Sequence, residues 1–279
     1  TKRVTVNIPD QQTFTKVITI AGNNPEILSD SVWREAAKHI PIDLDEAYVD
    51  WQVTGVRGSE RLVFVAAVPK QVADDLSEVI AISGYEPVAF EVESVALVRA
   101  IIGTVSPSPT LLIDFGHSKS NLTIVDKDAL ELTMTIPLSG DTINQTISQK
   151  LKLSIEQAEK AKIQCGLDKE KCKGALRIVL DAALDDLAYK ITDAIDFYTA
   201  KHTGGSSVDT IIVTGGGANF LNIEEVLSVK TKKRVLAGNS LALLNETSAR
   251  AFLAKKKVSP HFFTLAIGLA LRSFIKENV

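Results

Sequence analysis

The segment Thr210-Ile211-Ile212-Val213-Thr214-Gly215-Gly216-Gly217-Ala218-Asn219-Phe220 decides how the rest of the chain is read. Its apolar run from Ile211 to Val213 stops abruptly at three glycines. Such a run, cut off by turn residues, predicts a strand buried on both faces. Glycines lack a Cβ, so the rings or phosphates of another molecule can approach the backbone closely. Leu221, Ile223, Val226 and Leu227 follow at helical spacing and predict a helix directly after the glycines. Strand, glycine turn and helix start suit a nucleotide, because a helix N-terminus favours negative charge. The same glycines equally suit a tight strand-to-helix turn, and the surrounding sequence has to decide.

Upstream stands Leu111-Leu112-Ile113-Asp114-Phe115-Gly116-His117-Ser118-Lys119-Ser120-Asn121-Leu122-Thr123-Ile124-Val125. Strand, polar turn, strand is a hairpin, whereas a Rossmann unit places a helix after its glycine. Asp114 closes the first strand, Gly116 permits close approach, and Ser118 and Ser120 offer hydroxyls. A carboxylate there can hold magnesium through water while turn amides and hydroxyls take phosphate oxygens. Alone, the pattern is also that of a plain hairpin with a polar tip. His117 reads as a turn residue, with no second His or Cys at ligand spacing.

Between these two stretches the sequence predicts a third strand over 130–138 and a helix over 142–151 capped at Ser139-Gly140-Asp141. Ser154-Ile155-Glu156-Gln157 has the spacing of a capping box and opens a further helix. Glu159 and Lys162 lie three apart on it, hence on one face. A long helix over 175–202 carries Asp181, Asp185, Asp186 and Asp193, which fit a solvated face. Downstream, the predictions are a helix near 220–229, a short strand at 234–236 and a final helix over 262–275.

The first half reads as strands over 4–8 and 14–20 around a polar turn, a loop Gly22-Asn23-Asn24-Pro25, and a helix over 26–39. Trp33 and His39 on that helix are read as packing residues. A hairpin over 48–54 and 61–69 and helices over 70–83 and 91–102 follow, with Gly84 and Gly103 past the helix ends. Ser106-Pro107-Ser108-Pro109 is the predicted inter-domain linker. The expected division is 1–21 and 88–105 in a first domain, 22–87 as an inserted α+β module and 110–261 as a second domain. Residues 262–279 would pack back on the first domain.

Composition sets the outer limits. The chain has 279 residues, 45% hydrophobic and 23% charged, with a formal net charge of −3. That is a globular balance with no electrostatic footprint for nucleic acid. Lys255-Lys256-Lys257 is too short for a binding patch and reads as a solvated helix end. No apolar run reaches the ~20 residues that span a bilayer. Cys165 and Cys172 are read as too few and too far apart for a metal set or a disulfide framework, so reducing, cytosolic conditions are expected. The sequence opens Thr1-Lys2-Arg3-Val4 without an initiator Met and is read as starting part-way through a fold.

In order, the second half runs hairpin with an Asp-x-Gly turn, third strand, capped helix, Glu/Lys helix, long helix, strand, triple glycine, helix. This order resembles the actin, heat-shock chaperone and sugar-kinase superfamily. Asp114-Phe115-Gly116 is similar to its second phosphate loop, and Thr214-Gly215-Gly216-Gly217-Ala218 to its adenosine loop. Nearly the whole chain resembles PilM, the FtsA-like family of type IV pilus assembly. The resemblance rests on Trp33-Arg34-Glu35-Ala36-Ala37-Lys38-His39-Ile40-Pro41 with Val49-Asp50-Trp51, on Glu91-Val92-Glu93-Ser94-Val95-Ala96-Leu97-Val98-Arg99-Ala100, and on Ile136-Pro137-Leu138-Ser139-Gly140. Ala158-Glu159-Lys160-Ala161-Lys162 and Phe263-Thr264-Leu265-Ala266-Ile267-Gly268-Leu269-Ala270-Leu271-Arg272 complete it.

The resemblance implies an α/β, actin-like (ribonuclease H-like) two-domain ATPase fold with an inserted 1C subdomain. It implies ATP and magnesium as ligands, with Asp114, Gly116, Ser118 and Ser120 toward the phosphates and metal. Gly215, Gly216, Gly217 and Ala218 would face the adenosine, with Glu159 and Lys162 beside them. The implied role is a cytoplasmic scaffold, held at the inner membrane through partners rather than by insertion. Its partners would be the N-terminal peptide of PilN, other platform proteins and the motor. The family's first phosphate loop lies ahead of everything in this sequence, so this chain alone is expected to bind ATP weakly or not at all. Ser120 also stands where many relatives have Thr. Two alternatives share the fold. A kinase or ATPase enzyme needs an acid or base near the terminal phosphate, and none stands out. A polymerising FtsA-type division protein carries a C-terminal membrane helix, which is not expected after 275.

Overall fold

The computed structural model describes residues 2–22, 25–102, 108–126, 129–201, 207–244, 246–256 and 258–272. The predicted linker residues 106–107, Gly103, Asn23 and Asn24, residues 202–206, Lys257 and the last residues of the predicted final helix lie outside them.

The first part contains β1 (Arg3–Ile8), β2 (Phe14–Ala21), α1 (Pro25–Ala36), β3 (Ala47–Arg57), β4 (Glu60–Pro69), α2 (Lys70–Ile82), β5 (Glu86–Val92) and α3 (Glu93–Ile101). Strands β1 and β2 do not pair with each other. β1 lies parallel to β5, whereas β2 pairs antiparallel with β4, which also pairs with β3. The expected boundary at 21/22 therefore runs through a hydrogen-bonded sheet. Side-chain alternation explains it: Ile18 and Ile20 on β2 are buried with Leu28, Val32 and Ala36 of α1 and Val63 and Val65 of β4. The hairpin turn is shorter than expected, because the strands run to Arg57 and resume at Glu60, leaving Gly58, with φ +58°, to make the reversal. Strand β5, unseen in the sequence, occupies Glu86–Val92 and moves the start of α3 to Glu93.

The second part follows as β6 (Thr110–Phe115), β7 (Ser120–Asp126), β8 (Ala129–Ile136), α4 (Gly140–Leu151), α5 (Ile155–Cys165), α6 (Ala175–Lys201), β9 (Thr210–Thr214), α7 (Ile223–Thr231), β10 (Arg234–Ala237), α8 (Glu246–Lys256) and α9 (Thr264–Leu271). Its sheet has the order β10-β9-β6-β7-β8. β6 is parallel to β9 and antiparallel to β7, the hairpin that the sequence predicts. Both central strands carry an apolar run, Leu111–Ile113 and Ile211–Val213, because the sheet is covered: Leu111, Ile113, Ile211 and Val213 share one core with Ile147, Leu180, Leu187 and Ile191 of the helices. The capping boxes at Ser139/Thr142 and Ser154/Gln157 open α4 and α5. Cys165 and Cys172 are joined in a disulfide, against the sequence expectation. The chain reverses at Gly166, whose φ is +56°, and brings their Cα atoms to 5.8 Å despite seven residues of separation.

Several contacts tie the parts together. Phe64, Val92 and Leu130 form one apolar cluster across β4, β5 and β8. Thr15 and Thr133 share a hydrogen bond of 3.0 Å between β2 and β8. The last described helix, α9, crosses α3 so closely that a Cβ on Gly268 would stand 1.9 Å from the carbonyl oxygen of Ala96. Below that crossing, the buried Glu91 accepts a forked pair from Arg99, at 2.5 and 2.7 Å, and a bond from Arg272 at 2.7 Å. Among the described residues, no helix is long and apolar enough to cross a membrane.

Removing Glu91 strands Arg99, which is largely buried. Glu91→Ala is therefore expected to lower unfolding stability by about 3 kcal/mol, read from urea denaturation midpoints. Glu91→Gln, which retains acceptor capacity, should lose less.

Candidate functional site

The sheet geometry sets the site. β6 and β9 run parallel with Asp114 opposite Thr214, so both strands end level and their turns lie side by side. The β6 turn is closed by the Gly116 amide, which donates to Lys119 O at 3.0 Å. A Cβ on Gly116 would come within 2.6 Å of that oxygen.

The three glycines after β9 have different reasons to be glycine. Gly215 has φ +74°, and a Cβ there would lie 2.4 Å from Asp114 Oδ1. One on Gly217 would lie 2.2 Å from Phe115 Cγ. Both positions are fixed by the chain's own packing. Gly216 alone of the three has room for a Cβ, which would meet Phe262 Cε1 in ordinary contact at 3.6 Å. Only this glycine leaves room for another molecule.

A helix does not follow the glycines directly. Gly216–Asn219 forms a 3-10 turn, Asn222 takes a left-handed φ of +64°, and α7 begins at Ile223. The helix start beside the turns belongs instead to α4, and its amides are engaged: Gly140 N–H donates to Gly116 O at 3.0 Å and Asp141 N–H to His117 O at 2.9 Å. The anion-attracting amides expected from a free helix start are thus used to dock the hairpin tip.

These elements surround a cavity of about 620 Å³. Asp114, Phe115, Gly116 and His117 line it from the hairpin, Gly215, Gly216 and Gly217 from the second turn, and Glu159, Lys162 and Ile163 from α5. His261, Phe262, Thr264 and Leu265 close the side formed by α9 and the turn before it. Phe262 and Ile163 stay exposed, so two apolar side chains stand at the cavity wall. Lys162 reaches toward Gly140 O at 3.4 Å, and burial lowers its pKa despite Glu159 and Asp141 nearby.

The structure places the residues singled out in the sequence as follows. Asp114, Gly116, Glu159, Lys162 and the three glycines converge on one cavity. Ser118 is exposed and does not line it. Ser120 is buried and donates its hydroxyl to Leu138 O at 2.6 Å, so strand pairing turns it inward and its hydroxyl is already spent. Ala218 packs against the core of the second part.

Beneath Asp114 lies a charge cluster that the sequence did not reveal. Burial pushes the Asp114 carboxyl up to about 7, with Glu93 and Asp10 acting in the same direction and Lys119 against them. Asp10 is likewise pushed up to about 6 by burial and by Glu93, opposed by Lys119 and the backbone of Ser94 and Glu93. Lys119 Nζ stands 3.6 Å from Glu93 Oε2, and Asn121 donates to Asp10 at 3.0 Å. Asp10 reads locally as a turn residue after Pro9, and Glu93 as part of a helix. No short-range pattern joins them to Asp114; only the fold does. Among the described residues, no three His, Cys, Asp or Glu side chains form a group that could hold a metal ion by themselves.

A sheet ending in two adjacent turns, flanked by α4, α5 and α9 around one cavity, defines an actin-like protein. The fold is shared with ADP-bound MreB5 of Spiroplasma citri, at 19% identity and a TM-score of 0.55, over 76% of this chain and 68% of that one. It is shared with the ethanolamine utilization protein EutJ of Carboxydothermus hydrogenoformans, at 20% identity and a TM-score of 0.52, over 72% and 61%. A PilM-PilN type IV pilus biogenesis complex matches at a TM-score of 0.79 and 18% identity, over 98% of this chain and 80% of that one. The family model described as type IV pilus assembly protein PilM matches residues 1–274, and the chain belongs to that family.

Two measurements check this geometry. Gly217→Ala should lower stability by about 2 kcal/mol through the clash with Phe115, whereas Gly216→Ala should change it by less than about 0.5 kcal/mol in the same denaturation assay. Because burial raises Asp10, the folded protein holds this proton more tightly than the unfolded chain does. The stabilisation it gives is complete below its ordinary value of 3.8 and is lost as pH rises to about 6. Melting temperature should fall across that interval, and Asp10→Asn should flatten the fall.

Proposed function

We propose that this PilM family member is an ATP-binding, actin-like scaffold that binds the N-terminal cytoplasmic peptide of PilN. In this reading it works in the cytoplasm and is held at the inner membrane by its partners, linking them to other platform proteins and the motor. The observation that carries the nucleotide reading is the pairing of β6 with β9, which sets the Asp114–Gly116 turn beside the Gly215–Gly217 turn at one cavity. Gly216 gives the adenosine its approach, Phe262 and Ile163 supply apolar surface for a flat base, and Glu159 and Lys162 offer polar partners.

Magnesium fits the floor of this site. Asp114 is a buried carboxyl crowded by Asp10 and Glu93, with Lys119 the cation acting on it, so added positive charge would favour its ionised form. Asp114 would hold the ion through water, and the ion would screen the charge of the phosphates. The residues of this chain do the positioning: Gly116 keeps the turn tight, and Lys119 balances the acids beneath. The partner reading is supported by family membership and by the fold shared with a PilM-PilN complex. Residues 110–261 serve as the second domain, and the β2-β4-β3 module with α1 as the inserted one.

Calorimetry on the full-length protein tests both parts. ATP·Mg²⁺ is expected to bind saturably, and Gly216→Val to weaken it at least tenfold while leaving the melting temperature unchanged. A synthetic PilN N-terminal peptide is expected to bind with micromolar affinity. Wild-type protein that takes up no ATP overturns the nucleotide reading, and a silent peptide titration overturns the partner reading.

A further inference from the structure

Cys165 and Cys172 lie outside the cavity, yet the loop they close is fastened to two of its walls. Cys165 ends α5 and is buried, whereas Cys172 is exposed. One turn before Cys165, α5 sends Lys162 and Ile163 into the cavity. Directly after it, a Cβ on Gly166 would stand 2.4 Å from Leu221 Cβ, and the Leu167 amide donates to Leu221 O at 2.8 Å. Leu221 belongs to the segment that leaves the glycine turn. The loop thus sits between the α5 wall and the glycine wall.

The far end of the loop is conformationally unusual. Cys172, Lys173 and Gly174 have φ of +48°, +55° and +67° before α6 begins. Two successive L-residues in the left-handed region are unfavourable and persist only where the surroundings impose them. The first of the two, Cys172, is also bonded to Cys165 at the end of α5.

We propose that the Cys165–Cys172 disulfide is a redox modification site, and that its reduction by a dithiol loosens the α5 wall of the cavity. A thiolate of the dithiol attacks the exposed Cys172 sulfur and forms a mixed disulfide. The Cys165–Cys172 bond breaks, its electron pair leaves on the Cys165 sulfur, and that sulfur takes a proton. The second thiolate of the dithiol then attacks the dithiol's own sulfur in the mixed disulfide, and Cys172 departs and is protonated. The protein gains two electrons and two protons while the dithiol becomes a disulfide. Cys172 and Lys173 are then free to leave the left-handed region, and the last turn of α5 loses its anchor. Because Cys172 is exposed and Cys165 buried, attack is directed to Cys172.

The test compares the full chain before and after dithiothreitol. Alkylation under denaturing conditions is expected to label neither cysteine in the oxidised protein and both after reduction. Hydrogen exchange read by mass spectrometry should quicken at least tenfold across residues 162–174 on reduction, with β6 and β9 unchanged. Cys172→Ser should give the reduced profile with or without dithiothreitol; should that variant misfold, the reduced wild type carries the comparison. Two free thiols in protein never exposed to reductant, or equal exchange through 162–165 in both redox states, overturns the proposal. Neither readout involves nucleotide.

Discussion

Strands β6 and β9 run parallel and stop level, and the arrangement of the site depends on that register. Asp114 stands opposite Thr214, so the hairpin turn and the glycine turn are neighbours although Asp114 and Gly215 are far apart in sequence. A slip of one residue would turn the buried Leu111, Ile113, Ile211 and Val213 out of the helix-covered core. The apolar pattern of two short strands therefore fixes the spacing between the turns. Packing then fixes the glycines: Gly215 and Gly217 are pressed against Asp114 and Phe115, and only Gly216 is left open.

Electrostatics beneath the turns works against the folded chain. Asp10, Glu93 and Asp114 converge where Lys119 is the cation acting on them. Burying like charges raises their pKa values and makes the neutral forms preferable. The cluster also spans both parts of the molecule, since Asp10 follows β1, Glu93 opens α3, and Asp114 and Lys119 belong to the hairpin.

Much of the second part was legible because its signals are local. The hairpin around Asp114, the capping boxes at Ser139 and Ser154 and the apolar stripe of α6 each declare themselves within a few residues. Strand β5 was not legible: Pro87 lies within it, and its far end reads on into the helix of α3. The pairing of β1 with β5 was hidden for the reason common to parallel strands, that no turn joins the partners. Seven of the ten residues named from the sequence line the cavity, and Ser118, Ser120 and Ala218 do not. Ser120 is the instructive case, since a hydroxyl after a phosphate-loop-like turn looks available until strand pairing points it inward to Leu138. Asp10, Glu93 and Lys119 escaped because their meaning lies in tertiary proximity. The disulfide escaped because seven residues of separation look open until the chain reverses at Gly166.

Helix α9 has a mechanical meaning. At its start, Thr264 shares a buried hydrogen bond with Thr214, the last residue of β9, at 2.9 Å. Past its end, Arg272 is ion-paired to Glu91 at the end of β5, and in between Gly268 seats the helix on α3 without clearance. Eight residues make a rigid rod of roughly 12 Å. Such a rod is a strut between two sheets, and one short helix sets the distance from the end of β9 to the end of β5.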